Sequence, residues 1–224
     1  LVQQPRGAIL ICGPAGSGRT TTAYALIAEI DPHLHPIVTI EESITARLEH
    51  VTQTAVGGAA GPTAAQVLGG LRPGDAAAVL LDGITDGETA AAALRAAAES
   101  TVVATLEAED AADALEHLLA LGIEPHALGT AVVGVVAQRL VRALCDECKV
   151  PATASPDLVR KLPDHGAGEL TVFTRRKGGC VACHGTGYRG RVPVHELLLV
   201  DGPLRGLLAD RPTRTRIRAQ ARDA

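Results

Sequence analysis

The sequence of 224 residues predicts an α/β fold with a mainly parallel sheet, joined to a smaller module that is built around four cysteines. Three observations support this prediction. Short apolar segments rich in β-branched residues alternate with helical segments, as in a parallel sheet covered on both faces. The first apolar segment leads into a glycine-rich loop at residues 13–20. Two Cys-x-x-Cys pairs follow in the C-terminal part.

The order of the apolar and helical segments predicts each element in turn. The predicted strands cover residues 8–12, 37–40, 76–81 and 101–106, and the predicted helices cover residues 20–30, 88–98, 110–121 and 125–144. Asp31-Pro32 ends the first helix, because the residue before a proline disfavours helical backbone. Asp110 is the expected N-cap of the third helix and Gly122 its expected stop. Residues 56–62 are rich in glycine and are predicted to form a loop.

The loop at residues 13–20 reads Gly-Pro-Ala-Gly-Ser-Gly-Arg-Thr and predicts a phosphate-binding loop, or P-loop. Glycines let backbone N–H groups turn inward around phosphate oxygens, and the following helix adds the positive end of its dipole. Thr20 stands where a hydroxyl would hold Mg²⁺, which would accompany ATP. The alternative is a glycine-rich turn that binds nothing. The predicted nucleotide-binding residues are Gly13, Pro14, Ala15, Gly16, Ser17, Gly18, Arg19, Thr20 and Thr21.

Acidic residues follow several of the predicted strands, at the edge of the sheet where ligands bind in folds of this class. Glu41, Glu42, Asp82 and Glu107 are therefore the candidate catalytic residues. Each has a plainer alternative. Asp82 could be a turn residue before Gly83, the two adjacent glutamates could face solvent at the end of a strand, and Glu107 could be a surface or capping residue.

Two cysteine pairs predict a metal site. Cys145 and Cys148 form the first pair and Cys180 and Cys183 the second, with 31 residues between the pairs. Four thiolates close a tetrahedral site without an open position, which favours structural Zn²⁺. Disulfides or a redox pair are the alternatives, and His184 could replace one thiolate.

The charge is distributed unevenly, which divides the chain into a predicted nucleotide-binding core at residues 1–138 and a predicted cysteine module with C-terminal helices at residues 139–224. The first part has 5 basic and 16 acidic residues, and the second has 16 basic and 9 acidic residues. A basic module suits an acidic partner or a membrane face, although solvated surface charge is the plainer explanation.

Aromatic residues make up 1% of the chain, which argues against stacking on nucleic-acid bases. No run of about 18 apolar residues occurs, so no transmembrane helix is predicted.

The ordered set of motifs resembles the C-terminal ATPase domain of the type II secretion and type IV pilus assembly family. Residues 38–53 resemble the acidic box of that family, usually TIEDPVE, with the stretch that follows it. Residues 105–111, Thr-Leu-Glu-Ala-Glu-Asp-Ala, resemble its histidine box, usually STLHTNDA. Further resemblance lies at residues 86–90, 121–125, 136–142 and 187–197. The resemblance implies a RecA-like P-loop fold, ATP and Mg²⁺ as ligands, and Zn²⁺ in the cysteine module.

The departures from the family pattern fall where chemistry is expected. Arg19 replaces the usual P-loop lysine, and Glu42 and Ser43 replace Asp and Pro of the acidic box. Arginine keeps the charge, but its guanidinium is planar and needs more room. Glu107 replaces the histidine of the histidine box, so a hydrogen-bond donor becomes an acceptor with negative charge.

The Walker B segment departs as well. The family reads Gly-Glu-Ile-Arg-Asp, whose Glu polarises the attacking water, and residues 81–86 here read Leu-Asp-Gly-Ile-Thr-Asp, one residue longer from Arg72 onward. If Gly83 is the extra residue, Asp82 takes the place of that Glu with a shorter reach. If the extra residue lies earlier, Gly83 takes its place and the base is lost. These changes together predict impaired hydrolysis.

The resemblance implies a homohexamer on the cytoplasmic side of the inner membrane, in contact with a membrane platform protein. It also implies an N-terminal domain that this chain lacks and that supplies arginines to the site. Two other functions stay open at this point. One is a scaffold or regulatory paralogue that binds nucleotide without turnover. The other is a nucleic-acid motor, which the basic tail supports and the acidic core argues against.

Overall fold

A computed structural model of the chain describes residues 4–58, 61–160 and 171–222. The chain forms two compact units, of which the first comprises Leu1–Arg139 with His195–Ala224 and the second comprises Leu140–Val194. The C-terminal segment from His195 therefore groups with the first unit, and the division into residues 1–138 and 139–224 stays a prediction.

The first unit holds most of the secondary structure. The strands in the described part of the chain are β1 Gly7–Cys12, β2 Ile37–Glu41, β3 Thr52–Ala55, β4 Ala78–Ile84, β5 Thr101–Leu106, β6 Val132–Leu144, β7 Val150–Thr153, β8 Thr171–Thr174 and β9 Tyr188–Leu199. The helices there are α1 Arg19–Ala28, α2 Ala64–Gly70, α3 Gly87–Ala96, α4 Ala111–Ala120, α5 Pro125–Ala131, α6 Pro156–Arg160, α7 Gly202–Ala209 and α8 Arg214–Arg222, with a 3₁₀ turn at Val181–Cys183.

The main sheet has the strand order β3-β2-β4-β5-β1-β6-β9. The pairs β2–β3, β2–β4, β4–β5, β1–β5 and β1–β6 are all parallel. Because parallel strands end at the same edge, the residues at their carboxyl ends come together there. Cys12 at the end of β1 lies opposite Leu106 at the end of β5, and Glu41 lies opposite Asp82.

The core lies on both faces of this sheet. Alternate residues of β1 belong to two separate buried clusters, with Leu10 and Cys12 in one and Ile9 and Ile11 in the other. Every residue of β1 is buried, as expected for a central strand covered by helices on both faces. The helix α1 packs on the smaller cluster through Ala23 and Ile27. A fully buried β1 gives the P-loop a rigid starting point.

The predicted helix over residues 125–144 is wrong in its larger part. The structure forms only the short helix α5 and then the strand β6 from Val132. Val135 and Val136 lie beside Leu10 and Ile11 of β1, so the β-branched run adds a buried strand to the sheet. The strand β3 was not predicted, because its four residues, Thr-Gln-Thr-Ala, are mostly polar and carry no apolar signal. The N-cap at Asp110 is confirmed, since its side chain accepts a hydrogen bond from the Asp113 N–H at 2.8 Å.

Candidate functional site

The predicted P-loop joins β1 to α1 and has the backbone that a phosphate-binding loop needs. Gly16 and Gly18 have φ values of 74° and 86°, in the left-handed region that favours glycine. A Cβ on Gly13 would lie 2.3 Å from the backbone oxygen of Gln138, so no larger residue fits there. The free N–H groups at the start of α1 open toward the same loop. Of the nine predicted nucleotide-binding residues, six lie in the loop and the last three begin α1.

Arg19 turns back over the loop. Its Nη1 donates to the backbone oxygen of Gly13 and, at 3.2 Å, to that of Leu106. The guanidinium therefore lies across the carboxyl ends of β1 and β5, which are neighbours in the sheet. In this arrangement the one cation of the P-loop is engaged by backbone carbonyls.

Asp82 lies against the hydroxyl that the P-loop presents. Thr20 Oγ1 is 3.0 Å from one carboxylate oxygen of Asp82 and 3.2 Å from the other. Thr105 on β5 also donates to this carboxylate, at 2.7 Å. In P-loop nucleoside triphosphatases, Mg²⁺ is held by the P-loop Ser or Thr together with the Asp of the Walker B segment. Thr20 and Asp82 form such a pair of oxygen donors.

A β-bulge gives Asp82 this position. Leu81 pairs with Ala104 and Ile84 with Leu106, so two residues of β4 stand opposite the single residue Thr105 of β5. Gly83 takes up the extra length with a φ of 111°. Bulges beside functional sites re-aim side chains, and here the bulge directs a carboxylate at the P-loop. Gly83 offers no side chain of its own.

Glu41 is completely buried, and donors surround its carboxylate. One oxygen accepts from Thr39 Oγ1 at 2.5 Å and from Gln53 Nε2 at 3.3 Å, and the other accepts from the Tyr24 hydroxyl. Burial and the bond to Glu41 raise the pKa of Tyr24 above its usual value. The arrangement suits a structural carboxylate better than a base with a free lone pair. Glu42, the next residue, is exposed.

Glu107 is exposed directly after β5, at the start of an acidic segment that α8 contacts. Arg214 donates to the carboxylates of Glu109 and Asp110, at 2.8 and 2.7 Å. Arg218 contacts Asp110 as well. Asp110 thus caps α4 and also joins it to α8, which fixes the segment that carries Glu107 at its start.

Sequence reasoning missed several side chains of the site. Tyr24 and Gln53 hold Glu41, and Thr105 holds Asp82. Gln138 on β6 contacts the P-loop, with its Nε2 donating to the Ser17 backbone oxygen at 2.7 Å. The one available signal was a glutamine within the apolar run of residues 132–141, where a buried amide needs partners.

The second unit brings the four predicted cysteines together. Their sulfur atoms all lie within 4.8 Å of one another. The Sγ–Sγ distances are 3.8 Å for Cys145–Cys180, 3.9 Å for Cys148–Cys183 and 3.8 Å for Cys180–Cys183. A tetrahedral ion with Zn–S bonds of about 2.3 Å places its sulfurs about 3.8 Å apart, whereas a disulfide needs about 2.05 Å. The donor set and its spacing therefore fit Zn²⁺.

Backbone N–H groups near the cysteines stabilise the thiolate form of Cys183. The N–H groups of Cys180 and Gly187 each donate to Cys183 Sγ at 3.1 Å. These bonds lower the pKa of Cys183 to about 6. Burial and the neighbouring thiols raise the pKa of Cys148 to about 12. His184 is exposed and lies outside the cluster of sulfur atoms, which comprises the four cysteines.

The fifth cysteine, Cys12, is buried at the end of β1, far along the chain from the cluster. Burial raises the pKa of its thiol to about 12, so it stays protonated and unreactive.

Within the described ranges, none of the helices has the length and apolar character needed to cross a bilayer.

Comparisons with known proteins place these observations in a family. The family described as "Type II/IV secretion system protein" matches residues 1–224. The type IV pilus assembly ATPase PilB of Thermus thermophilus is 37% identical over 226 residues, which cover 99% of this chain and 25% of that protein. The type II secretion system ATPase E of Vibrio cholerae is 39% identical over 209 residues, covering 93% of this chain and 41% of that protein. The chain thus spans less than half the length of both relatives.

Solved structures show the same fold. The ATPase DotB of Legionella pneumophila has a TM-score of 0.69 at 18% identity, covering 99% of this chain and 53% of that one. The pilus retraction motor PilT with bound ADP has a TM-score of 0.67 at 22% identity, covering 97% and 53%. The predicted α/β P-loop fold is confirmed, and so is the predicted resemblance. The chain belongs, over its whole length, to the Type II/IV secretion system protein family.

Proposed function

We propose that this chain is the nucleotide-binding domain of a type II secretion or type IV pilus assembly ATPase, and that it binds MgATP at residues 13–20 but hydrolyses it slowly. The observation that carries the first part is the pair of oxygen donors formed by Thr20 and Asp82, 3.0 Å apart beside the P-loop. Bound Mg²⁺ would neutralise charge on the phosphate oxygens. The relatives that are named as ATPases support ATP as the nucleotide.

Slow hydrolysis follows from what the remaining acids and Arg19 do. Phosphoryl transfer needs a group that orients the attacking water, and losing such a group costs about 10²–10⁴-fold in general-base catalysis. Asp82 is engaged with Thr20 and Thr105, and Glu41 is buried among donors. Glu107 adds negative charge at the end of β5, where a polyanion disfavours it. Arg19 must also leave two backbone carbonyls before its charge can serve a phosphate.

The cysteine unit completes the proposal with a structural Zn²⁺. Cys145, Cys148, Cys180 and Cys183 would hold the ion, and four thiolates leave no position open for catalysis. The ion would stabilise a unit whose buried cluster consists of those cysteines themselves. Its chemistry here is structural, because metal binding supplies folding free energy to a segment with little apolar core.

A wider assembly belongs to the proposal as well. The resemblance to secretion and pilus ATPases implies a homohexamer at the cytoplasmic face of the inner membrane, bound to a platform protein, and we propose the same assembly here. The machine would couple the nucleotide state to assembly of a pilus or pseudopilus, or to secretion.

A scaffold or regulatory paralogue without turnover is the second candidate. The engagement of Arg19 by backbone carbonyls, of Glu41 by three donors and of Asp82 by two threonines favours it, because these two carboxylates already accept hydrogen bonds from the protein. Nucleotide binding at the same site would then support assembly of the ring, and the chain would not drive it by hydrolysis.

Two measurements on the intact protein test the proposal. Calorimetric titration with MgATP is expected to show binding, and phosphate release is expected to be at least about tenfold slower than that of an ordinary family member. No heat of binding would overturn the nucleotide site. Turnover at the pace of an ordinary member would overturn impaired hydrolysis, and binding with no measurable turnover would favour the paralogue.

A further inference from the structure

Gln138 on β6 contacts the P-loop at two points. Its side chain is almost fully buried, with the residue 2% exposed, and Nε2 donates to the Ser17 backbone oxygen at 2.7 Å. Its own backbone oxygen occupies the space next to Gly13, where an added Cβ would come within 2.3 Å. One residue of a neighbouring strand thus meets the first and the fifth residues of the loop.

The orientation of the Gln138 amide is fixed by its partners. Thr22 Oγ1 on α1 donates to Oε1 at 2.6 Å, and His195 Nε2 on β9 lies 2.8 Å from the same oxygen. Because an amide oxygen only accepts, His195 donates through Nε2. Because the Ser17 carbonyl also only accepts, the amide nitrogen must face it. The amide has one orientation that satisfies all three contacts.

The bond to Ser17 determines the direction of a second group. Peptide units are planar and trans, and the described backbone contains no cis bond. The Ser17 carbonyl and the Gly18 N–H belong to one such unit and point in opposite directions. Holding the carbonyl toward Gln138 therefore keeps the Gly18 N–H turned away from β6. The Ser17 hydroxyl is buried without a hydrogen-bond partner among the described residues, so its side chain does not share this task.

We propose that Gln138 is a positioning residue for nucleotide binding, which holds the Ser17–Gly18 peptide in the orientation that a phosphate requires. This inference rests on the proposed function, because it concerns the same loop. An amide is needed, since a carboxylate at this position cannot donate to the Ser17 carbonyl. An apolar side chain would leave that buried carbonyl without its donor, and the loop would relax to find another.

The experiment uses Gln138→Glu and Gln138→Met in the intact protein, with affinities for MgATP and MgADP measured by calorimetry. Both variants are expected to bind about tenfold more weakly, since a buried unsatisfied carbonyl carries a penalty of that order. The factor is expected to be equal for the two nucleotides, because the loop grips phosphates that they share. Gln66→Glu is the matched control, since it makes the same change at an exposed residue of α2 and should leave both affinities unchanged.

Thermal unfolding without nucleotide separates positioning from mere support of the fold. A purely structural role would lower the unfolding temperature and leave the affinity of the folded protein at its wild-type value. Thr22→Val removes one donor to the Gln138 amide and leaves Ser17 untouched, so it should weaken binding by about threefold. The same change added to Gln138→Met should weaken binding no further, because the amide that it orients is already gone.

Each outcome decides between the two proposals. Wild-type protein that binds neither nucleotide overturns the proposed function, and this inference falls with it. Wild-type binding together with unchanged affinities in the Gln138 variants overturns the positioning role alone. If neither Gln138 variant folds, an unchanged affinity in Thr22→Val overturns it instead.

Discussion

Thr20 donates a hydrogen bond from Oγ1 to the carboxylate of Asp82, with 3.0 Å between the oxygen atoms. Thr20 is the second residue of α1, and Asp82 lies in a bulge of β4, two strands away from β1 in the sheet. The bond joins the P-loop to the strand that carries the segment resembling Walker B. The pair holds two oxygens close together where a hard cation would need them.

Asp82→Asn should weaken the Mg²⁺-dependent part of nucleotide binding. The change keeps the size of the side chain and removes the charge that a magnesium ion would meet. We expect about a tenfold loss of affinity for ADP with Mg²⁺, which corresponds to about 1.4 kcal/mol, and no loss in the presence of a chelator. Calorimetry under both conditions makes the comparison. Asp75→Asn is the control, because Asp75 is an exposed acid whose contacts lie with Arg72. An equal loss with and without Mg²⁺ would contradict the prediction.

Arg19→Lys should raise phosphate release by the intact protein. A lysine ammonium is compact and flexible, so it can leave the Gly13 and Leu106 carbonyls for a phosphate more readily than a planar guanidinium. An increase of about tenfold is expected, in line with one improved charge contact. Arg95→Lys, at an exposed position of α3, should change nothing. If neither binding nor turnover improves, Arg19 is not the limiting defect.

The P-loop and the cysteine pairs could be predicted because their chemistry is local in sequence. Glycines at residues 13, 16 and 18 indicate a P-loop within a few positions, and each Cys-x-x-Cys pair likewise indicates a metal site. The strand β6 could not be found in this way. Residues 132–136 are mostly valine, and their pairing with the neighbouring β1 decides that they begin a strand rather than continue α5.

The partners of the candidate acids depend on the sheet as a whole. Glu41 and Asp82 looked alike in the sequence, as acids at the ends of strands. The structure separates them, since Glu41 is buried among donors on one side of β2 while a bulge turns Asp82 toward Thr20. The family pattern indicated an extra residue at or before Gly83, but only the pairing of β4 with β5 gives its place in the register. The assignment of these acids to a role in hydrolysis stays a prediction.

Glu41→Gln should lower stability and leave nucleotide affinity unchanged. Glu41 accepts from Tyr24, Thr39 and Gln53, and an amide nitrogen in place of one oxygen would face a donor in a site that excludes water. The expected loss is about 1–3 kcal/mol in the free energy of unfolding, measured by urea denaturation. Glu42→Gln, at the exposed neighbouring residue, should cost far less. A variant of normal stability that loses phosphate release would show instead that Glu41 acts on the attacking water.

Zinc binding at neutral pH should release fewer than four protons. Ligation requires thiolates, so each protonated cysteine loses a proton when the ion binds. The pKa of Cys183, lowered to about 6, means that this thiol is already deprotonated at pH 7.5, whereas the pKa of Cys148, raised to about 12, keeps that proton in place. Affinity should therefore rise with pH, and the share from Cys183 should disappear above pH 6. Calorimetry in buffers of different ionisation enthalpy counts the protons, and a count of four would contradict the preformed thiolate.

Removal of the proposed Zn²⁺ should unfold the second unit, Leu140–Val194, before the first. Among the described residues of this unit the buried cluster consists of cysteines, so the ion would replace an apolar core that those residues do not form. Cys180→Ser, or a chelator added to the wild-type protein, should expose amides at residues 140–160 and 171–194 to hydrogen exchange while β1 and β5 stay protected. Cys12→Ala serves as the control, because it removes a thiol that lies outside the cluster and stays protonated. Equal protection of both units after chelation would show that the sulfur cluster does not depend on a metal.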